Sequence, residues 1–543
     1  KIGASMRLFP RENYLKKIRG FYHDEGMIKV ITGVRRCGKS CLMQCIAEEL
    51  RAESIDDEHI VFFDLDRYGY RSVKAPEQLE DLIRPLLAIS GTKYLFIDEV
   101  QNVDGFEDVL NGLRTEGGFS IFITGSNSYL LSGELATKLT GRYIEFEMQT
   151  LDFGEYCQMK RFLGLPVNPN PVAEFDTYIL EGGFPKTMDY PRLADKRAYV
   201  AAVIQEIFEK DIRRLVKIKN VSVFNQVRDY LINNFGATTS LTNIQSDLES
   251  KQGVKVKRET LARYLQILED AKIISKCARF DLKSRKSLRG EQKYYLADLS
   301  FYFTLNTDNR INYGPVLENI VYRYALAQGC KVSVGRIGKL ECDFILRNPE
   351  MGYAYVQVAM TIMADRSTEE REYRTFEQIK DNYPKYLLTR SDPIQQRDGI
   401  IHANIPEFMQ EEGYSRRAMP PFDTRLYAAD LEGRFSSHSD VLGFWRSLVF
   451  CSMDKKRNCE SSAAEKFSVL SHVLSQTPTR RYAAGFNGKT PKADDPTGVD
   501  CNGTTANERK RVGIKQAEHI FIIHPSYLLA PRLRCEEFFN NEL

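Results

Sequence analysis

The segment Ile28 to Cys45, IKVITGVRRCGKSCLMQC, joins an apolar strand to a glycine-bearing loop and then to an amphipathic helix, and few folds accept that order. Gly33 and Gly38 are separated by four residues and followed by Lys39 and Ser40, the G-x-x-x-x-G-K-[ST] spacing whose backbone N–H groups wrap a polyphosphate. The helix that follows adds the positive end of its dipole. On this reading Gly33, Val34, Arg35, Arg36, Cys37, Gly38, Lys39, Ser40 and Cys41 contact a nucleotide. Lys39 is expected to reach the β and γ phosphates, and the Ser40 hydroxyl to take one place in the octahedral shell of Mg²⁺.

A second motif stands where such a loop needs one. Lys93 to Val100, KYLFIDEV, is an apolar run ending in two carboxylates, which suits a buried parallel strand with its acids at the ligand-facing edge. Asp98 is expected to hold the Mg²⁺ through water, and Glu99 to orient the water that attacks the γ phosphate. A third strand, Ser120 to Thr124, ends in Gly125-Ser126-Asn127, and Asn127 is placed to touch the γ phosphate or that water. Gly, Ser and Asn also favour plain turns, so this assignment competes with turn chemistry. Val61 to Asp66 supplies another strand, with helical crossovers near 77–88 and 104–114. No Asn-Lys-x-Asp run is present to read guanine, which favours ATP over GTP as the cofactor.

The phrases VITGVRRCGKS, YLFIDEVQ, IFITGSNSYLLSGELATKLTGRYIEFEMQTLDFGEY and YILEGGFPKTMDY resemble the bacterial and archaeal AAA-type ATPase family that carries a C-terminal domain of unknown function with a nuclease-like core. The resemblance runs from about Met6 to about Glu412. It implies an α/β class: a P-loop NTPase, AAA-like parallel-sheet domain over 1–150, a helical segment over 151–222, a winged-helix element over 223–300 and a nuclease-like α/β domain over 301–412. It also implies ATP binding and hydrolysis, and Arg142, in a shared Gly-Arg pair, as an arginine finger or sensor, with an ordinary surface arginine as the alternative.

Charge marks out the middle of the chain. Residues 210–293 hold 19 Lys and Arg against 9 Asp and Glu, a surplus of ten positive charges in a chain whose formal net charge is +3. A local basic excess points to nucleic acid. Leu241 to Ser250 and Lys257 to Ala271 have helical spacing, and Ile273 to Phe280 with Lys293 to Ala297 fits a winged-helix hairpin. Arg258, Thr260 and Arg263 then lie near the start of a recognition helix. The same element can serve only for packing or for oligomer contacts.

Residues 313–390 carry Glu318 on a helical stretch, Glu341-Cys342-Asp343 at the start of one strand and Tyr355 to Ala359 in the next. They are similar to a PD-(D/E)xK nuclease, except that Ala359 stands at the lysine position that activates water. The expectation is a degenerate fold, with Asp343 and Gln357 as weak metal ligands.

The chain has 11 cysteines, scattered and without a C-x-x-C pair, which fits reduced thiols in a cytoplasmic protein. Cys37, Cys41 and Cys45 read as small buried residues. No run of 18 apolar residues appears, so no membrane span is expected. The start KIGASMRLFP lacks a secretion signal's apolar core, with Met6 a candidate start. Residues 413–543, rich in Ser, Thr, Gly, Lys and Asp over 461–512, read as a tail, partly flexible and open to being non-native. Two functions follow: an ATPase that switches or remodels a protein or DNA complex, alone or as a homo-oligomer, or a slow nucleotide-gated interaction module of a defence or regulatory system. An active nuclease is the third.

Overall fold

A computed structural model describes residues 8–410 except 126–138, 140, 214–215, 285, 288–290, 307–309 and 349–351. The expectations for Asn127 and for the tail beyond 412 fall outside the described residues.

After helix α1 (Glu12–Ile18), the chain alternates strand and helix: β1 (Ile28–Gly33), α2 (Lys39–Ala52), β2 (Ile60–Asp64), α3 (Pro76–Ile83), β3 (Lys93–Asp98), α4 (Phe106–Glu116), β4 (Phe119–Thr124) and β5 (Tyr143–Met148). The five strands form one parallel sheet in the order β2-β3-β4-β1-β5. β1, β3 and β4 are buried at every residue, as strands covered on both faces must be, which is why they read as unbroken apolar runs. Their side chains divide by the period of two. Ile31, Phe96 and Phe122 meet Leu42, Met43 and Ile46 of α2, whereas Ile28, Val30, Leu95 and Ile97 meet Leu79, Val109 and Leu110 on the other face. Phe62, Phe96 and Phe122 stack across three strands, with centroids 4.5 and 4.6 Å apart.

Helices α5 (Phe153–Phe162), α6 (Pro171–Glu181) and α7 (Leu193–Glu206) follow, and α7 runs into a π-helical turn, Ile207–Arg213. Asp152 and Glu155 form a reciprocal capping box that starts α5. Next come α8 (Val221–Asn233), β6 (Thr238–Thr239), α9 (Leu241–Gln252), α10 (Arg258–Asp270), β7 (Ile274–Cys277), β8 (Arg279–Asp281), β9 (Lys286–Ser287) and β10 (Gln292–Leu296). β6, β10 and β7 make a small antiparallel sheet beside the three helices.

Then α11 (Ser300–Leu305) and α12 (Tyr313–Ala327) lead to β11 (Lys331–Ile337), β12 (Leu340–Asn348), β13 (Gly352–Ala359), α13 (Arg366–Glu377), β14 (Lys385–Thr389), β15 (Gln396–Arg397), β16 (Ile400–Asn404) and α14 (Ile405–Gln410). The second large sheet has the order β15-β16-β14-β13-β12-β11-β8-β9.

Two expectations change here. The hairpin strand expected over Ile273 to Phe280 splits at Ala278: β7 pairs with β10, but β8 crosses to pair in parallel with β11, and the Val334 N–H donates to the Ala278 carbonyl at 2.9 Å. A division at residue 300 therefore does not separate the two sheets. Of the three clustered cysteines, Cys37 and Cys45 are buried but Cys41 is exposed, because it occupies the solvent side of the first turn of α2.

Candidate functional site

The loop between β1 and α2 owes its shape to two glycines. Gly33 has φ +142°, and a Cβ there would sit 2.3 Å from the Met148 carbonyl oxygen of β5; Gly38 has φ +110° and caps α2. No side chain fits the first position without moving β5. Lys39, 5% exposed, donates from Nζ to the carbonyls of Gly33 at 3.0 Å and Val34 at 3.3 Å, so its ammonium lies within the loop it would share with phosphates. Arg11 fastens the loop from outside the sheet, donating to the carbonyls of Cys37 at 3.2 Å and Gln149 at 2.7 Å while paired with Glu155.

β4 lies between β1 and β3, and its last residue joins the two carboxylates. Thr124, fully buried, donates its hydroxyl to Asp98 and accepts the Glu99 N–H at 3.0 Å. Glu99 sits just past β3 in the left-handed region, φ 55°, and its carboxylate accepts from Gln101 and faces Arg35 at 3.7 Å. Burial pushes the Glu99 carboxyl above its ordinary range; Lys39 and Arg35 oppose that rise, and Asp98 and Asp211 add to it. Such a carboxyl is a better proton acceptor than a solvated one.

The structure thus gathers Gly33 to Ser40, Asp98 and Glu99 at the carboxyl edge of one sheet, where open α/β sheets bind ligands. Arg142 is not among them. It immediately precedes β5, whose Tyr143 pairs with Ile28 and whose Met148 pairs with Gly33, so the length of the strand, about 17 Å at 3.3 Å per residue, separates it from the loop. There it donates to Asn111 at 2.9 Å. An arginine finger acting on its own chain's loop is therefore ruled out by the parallel register.

Thr124, Arg11 and Asp211 escaped the reading of the sequence. Thr124 had a signal, a hydroxyl closing an otherwise apolar strand before Gly125. Asp211 had none, since its partner Arg35 lies 176 residues away.

A second polar cluster joins β10 of the small sheet to α12 and to β12 and β13 of the larger mixed sheet. Lys293 of β10, 6% exposed, donates to Glu318 of α12 at 2.9 Å and pairs with Glu341 of β12 at 3.1 Å. Tyr295 donates to the same Glu318 oxygen at 2.7 Å. Asp343, 8% exposed, accepts the Val358 N–H at 2.8 Å, and Gln357 donates to Glu372 at 2.9 Å. Burial and Glu318 hold the Asp343 carboxyl well above its usual range, against the pull of Lys293. Among the described residues no three His, Cys, Asp or Glu side chains form a group that could hold a metal ion. Of the pair expected to bind a metal weakly, Asp343 accepts the Val358 N–H and Gln357 accepts the Asp343 N–H at 3.4 Å, so backbone N–H groups already engage oxygens of both.

Fold and loop define a P-loop ATPase-like domain of the AAA type. The chain matches the family described as AAA domain over residues 25–157 and the domain of unknown function DUF8612 over 172–310. An uncharacterized protein of Haemophilus influenzae is 33% identical over 390 residues, 71% of this chain and 94% of the relative. An uncharacterized protein of Methanocaldococcus jannaschii is 31% identical over 371 residues, 65% of this chain and 79% of the relative. The chain belongs to the family of these two proteins, and in this chain the AAA domain match precedes that of the domain of unknown function. Among solved structures, a Walker-type ATPase of Pyrococcus abyssi aligns with a TM-score of 0.40 at 15% identity, covering 55% of this chain and 96% of its own. The DUF8612 match ends at residue 310, ahead of β11 to β16. Among the described residues no helix is long and apolar enough to cross a membrane.

Proposed function

We propose that this chain is a Mg²⁺-dependent ATP hydrolase that uses its nucleotide state to switch or remodel a bound protein or nucleic acid. The observation that carries the reading is the convergence of Lys39, Asp98, Thr124 and Glu99 on one sheet edge beside the start of α2. The loop amides and the α2 N-terminus bind the phosphates, and Lys39 exchanges its two carbonyl bonds for phosphate oxygens. Ser40 and Asp98 supply hard oxygen donors of the kind Mg²⁺ takes alongside phosphates and water, and the ion would neutralise charge on the phosphates. Thr124 holds Asp98 and the Glu99 backbone in one arrangement, and Glu99 accepts a proton from the attacking water. Asn127 remains part of the proposed set, and Arg142 serves only if a neighbouring copy presents it.

The segments beyond the sheet suggest how the state is used. Helices α8 to α10 with β6, β7 and β10 are read as a winged helix, a reading supported by three helices beside a small antiparallel sheet, and Arg258 and Arg263 are exposed near the start of α10. Residues 210–293 are the proposed nucleic-acid contact. The last sheet is read as a nuclease-like fold without cutting chemistry, since Lys293 fills its carboxylate nest and Ala359 replaces the activating lysine.

Phosphate release under multiple turnover is the test. Glu99→Gln should still bind MgATP but hydrolyse it about a hundredfold more slowly than the parent. Undiminished hydrolysis by Glu99→Gln would remove the base from this position, and no hydrolysis by the parent would overturn the reading.

A further inference from the structure

Arg35 occupies the loop yet sends its side chain away from β1. Its guanidinium forms a fork on Asp211, Nε to Oδ2 at 2.9 Å and Nη2 to Oδ1 at 2.8 Å. Nη2 also faces Glu99 at 3.7 Å, and Nη1 faces Glu206 at 3.7 Å. Arg35 is 7% exposed and Asp211 3%. Asp211 lies on the π-helical turn Ile207–Arg213 that prolongs α7, and π-helical turns are frequent at functional sites. Glu206, the last residue of α7, also pairs with Arg36 at 3.0 Å and Lys210 at 3.0 Å. Two consecutive loop arginines are thus tied to the end of one helix that lies outside the parallel sheet.

We propose that Arg35 is a positioning residue that divides its charge between Asp211 and the phosphates of a nucleotide in the loop, and so couples occupancy of the loop to the helix end over residues 206–213. The proposal rests on the ATPase reading above. A polyanion entering the loop competes with Asp211 for a cation that both can reach, and at short range in a poorly solvated site that competition is strong. The fork weakens as the nucleotide binds, and the turn at 207–213 loses the contact that fixes it. Linkage requires the converse: a change at Asp211 or Glu206 that weakens the fork while leaving Arg35 in place tightens nucleotide binding.

The sign of that effect separates coupling from mere support. In the full chain, Asp211→Asn should bind MgATP about 5- to 10-fold more tightly than the parent by isothermal titration. Glu206→Gln, whose carboxylate is more solvated, should give a smaller gain and serves if Asp211→Asn does not fold. Arg35→Gln should weaken binding and abolish the gain when combined with either change. Hydrogen exchange at 206–213 should rise on adding MgATP to the parent and be insensitive to it in Arg35→Gln. Lys39→Ala, titrated alongside, reports on the ATPase reading itself. Loss of binding in Lys39→Ala with unchanged or weaker binding in both Asp211→Asn and Glu206→Gln would overturn the coupling alone. Equal binding by Lys39→Ala and the parent would overturn the reading beneath it.

Discussion

At the scale of single residues, the site depends on a few side chains whose removal leaves buried groups without partners. Thr124 is the clearest case. Replacing it with Val keeps the β-branched shape that a buried strand favours but strips a donor from Asp98 and an acceptor from the Glu99 N–H. We expect Thr124→Val to cost about 1–3 kcal/mol in a denaturant titration, and to lower ATP turnover while leaving nucleotide affinity nearly unchanged. A variant as stable and as active as its parent would show that the hydroxyl does neither job. What could be read from sequence here was set by spacing: Gly33, Gly38, Lys39, Asp98 and Glu99 belong to short motifs whose geometry is local. Arg35 and Asp211, or Lys293 and Glu318, meet only because distant segments pack together, and no periodicity announces such a pair.

Elements were legible to the extent that their surroundings were uniform. Strands buried on both faces announce themselves as apolar runs, so β1, β3 and β4 fall within one or two residues of the segments expected for them. β8 and β9 are short, one with a single buried Phe280 and the other exposed at both residues, and their placement follows from the partner they find rather than from composition. β10 shows the same dependence, since its Lys293 is read in isolation as one more cation of a basic segment. Its ammonium instead balances Glu318 and Glu341 with Asp343 close by. Lys293→Met should therefore destabilise the protein by about 3–5 kcal/mol, the range for breaking a buried ion pair from one side. The pH dependence has a definite sign. Asp343 already titrates above its unfolded value, so its carboxyl favours the fold most in acid and less as pH rises through its folded pKa. Without the ammonium that value rises further, and the deficit in Tm relative to the parent should be larger at pH 8 than at pH 5. An equal deficit at both pH values would mean that Lys293 acts through packing alone.

For the whole molecule, the basic surplus over 210–293 is smaller in effect than in count. Acids outside the segment offset part of it: Lys210 pairs with Asp66 and Glu206, Lys272 with Glu147, Arg279 with Glu341, and Lys293 with Glu318 and Glu341. Nucleic-acid binding is then expected to involve roughly three to five phosphates, so that log K falls against log salt with a slope of about −3 to −5. Fluorescence anisotropy with a labelled duplex measures it, and a response independent of salt would assign α8 to α10 to protein contacts. The route of the chain through its last sheet bears on how the protein is made. Strand β8 emerges at residue 281, and its parallel partner β11 begins only at residue 331. On the ribosome, the two antiparallel pairings of the small sheet can close while β8 and β9 still present open edges, the state in which growing chains are most exposed to wrong association. A chain released near residue 300 would carry those edges permanently. A truncation before Arg279 would remove β8 and β9 but also β10, the strand on which both β6 and β7 pair, so soluble protein is expected only from chains that extend through β11.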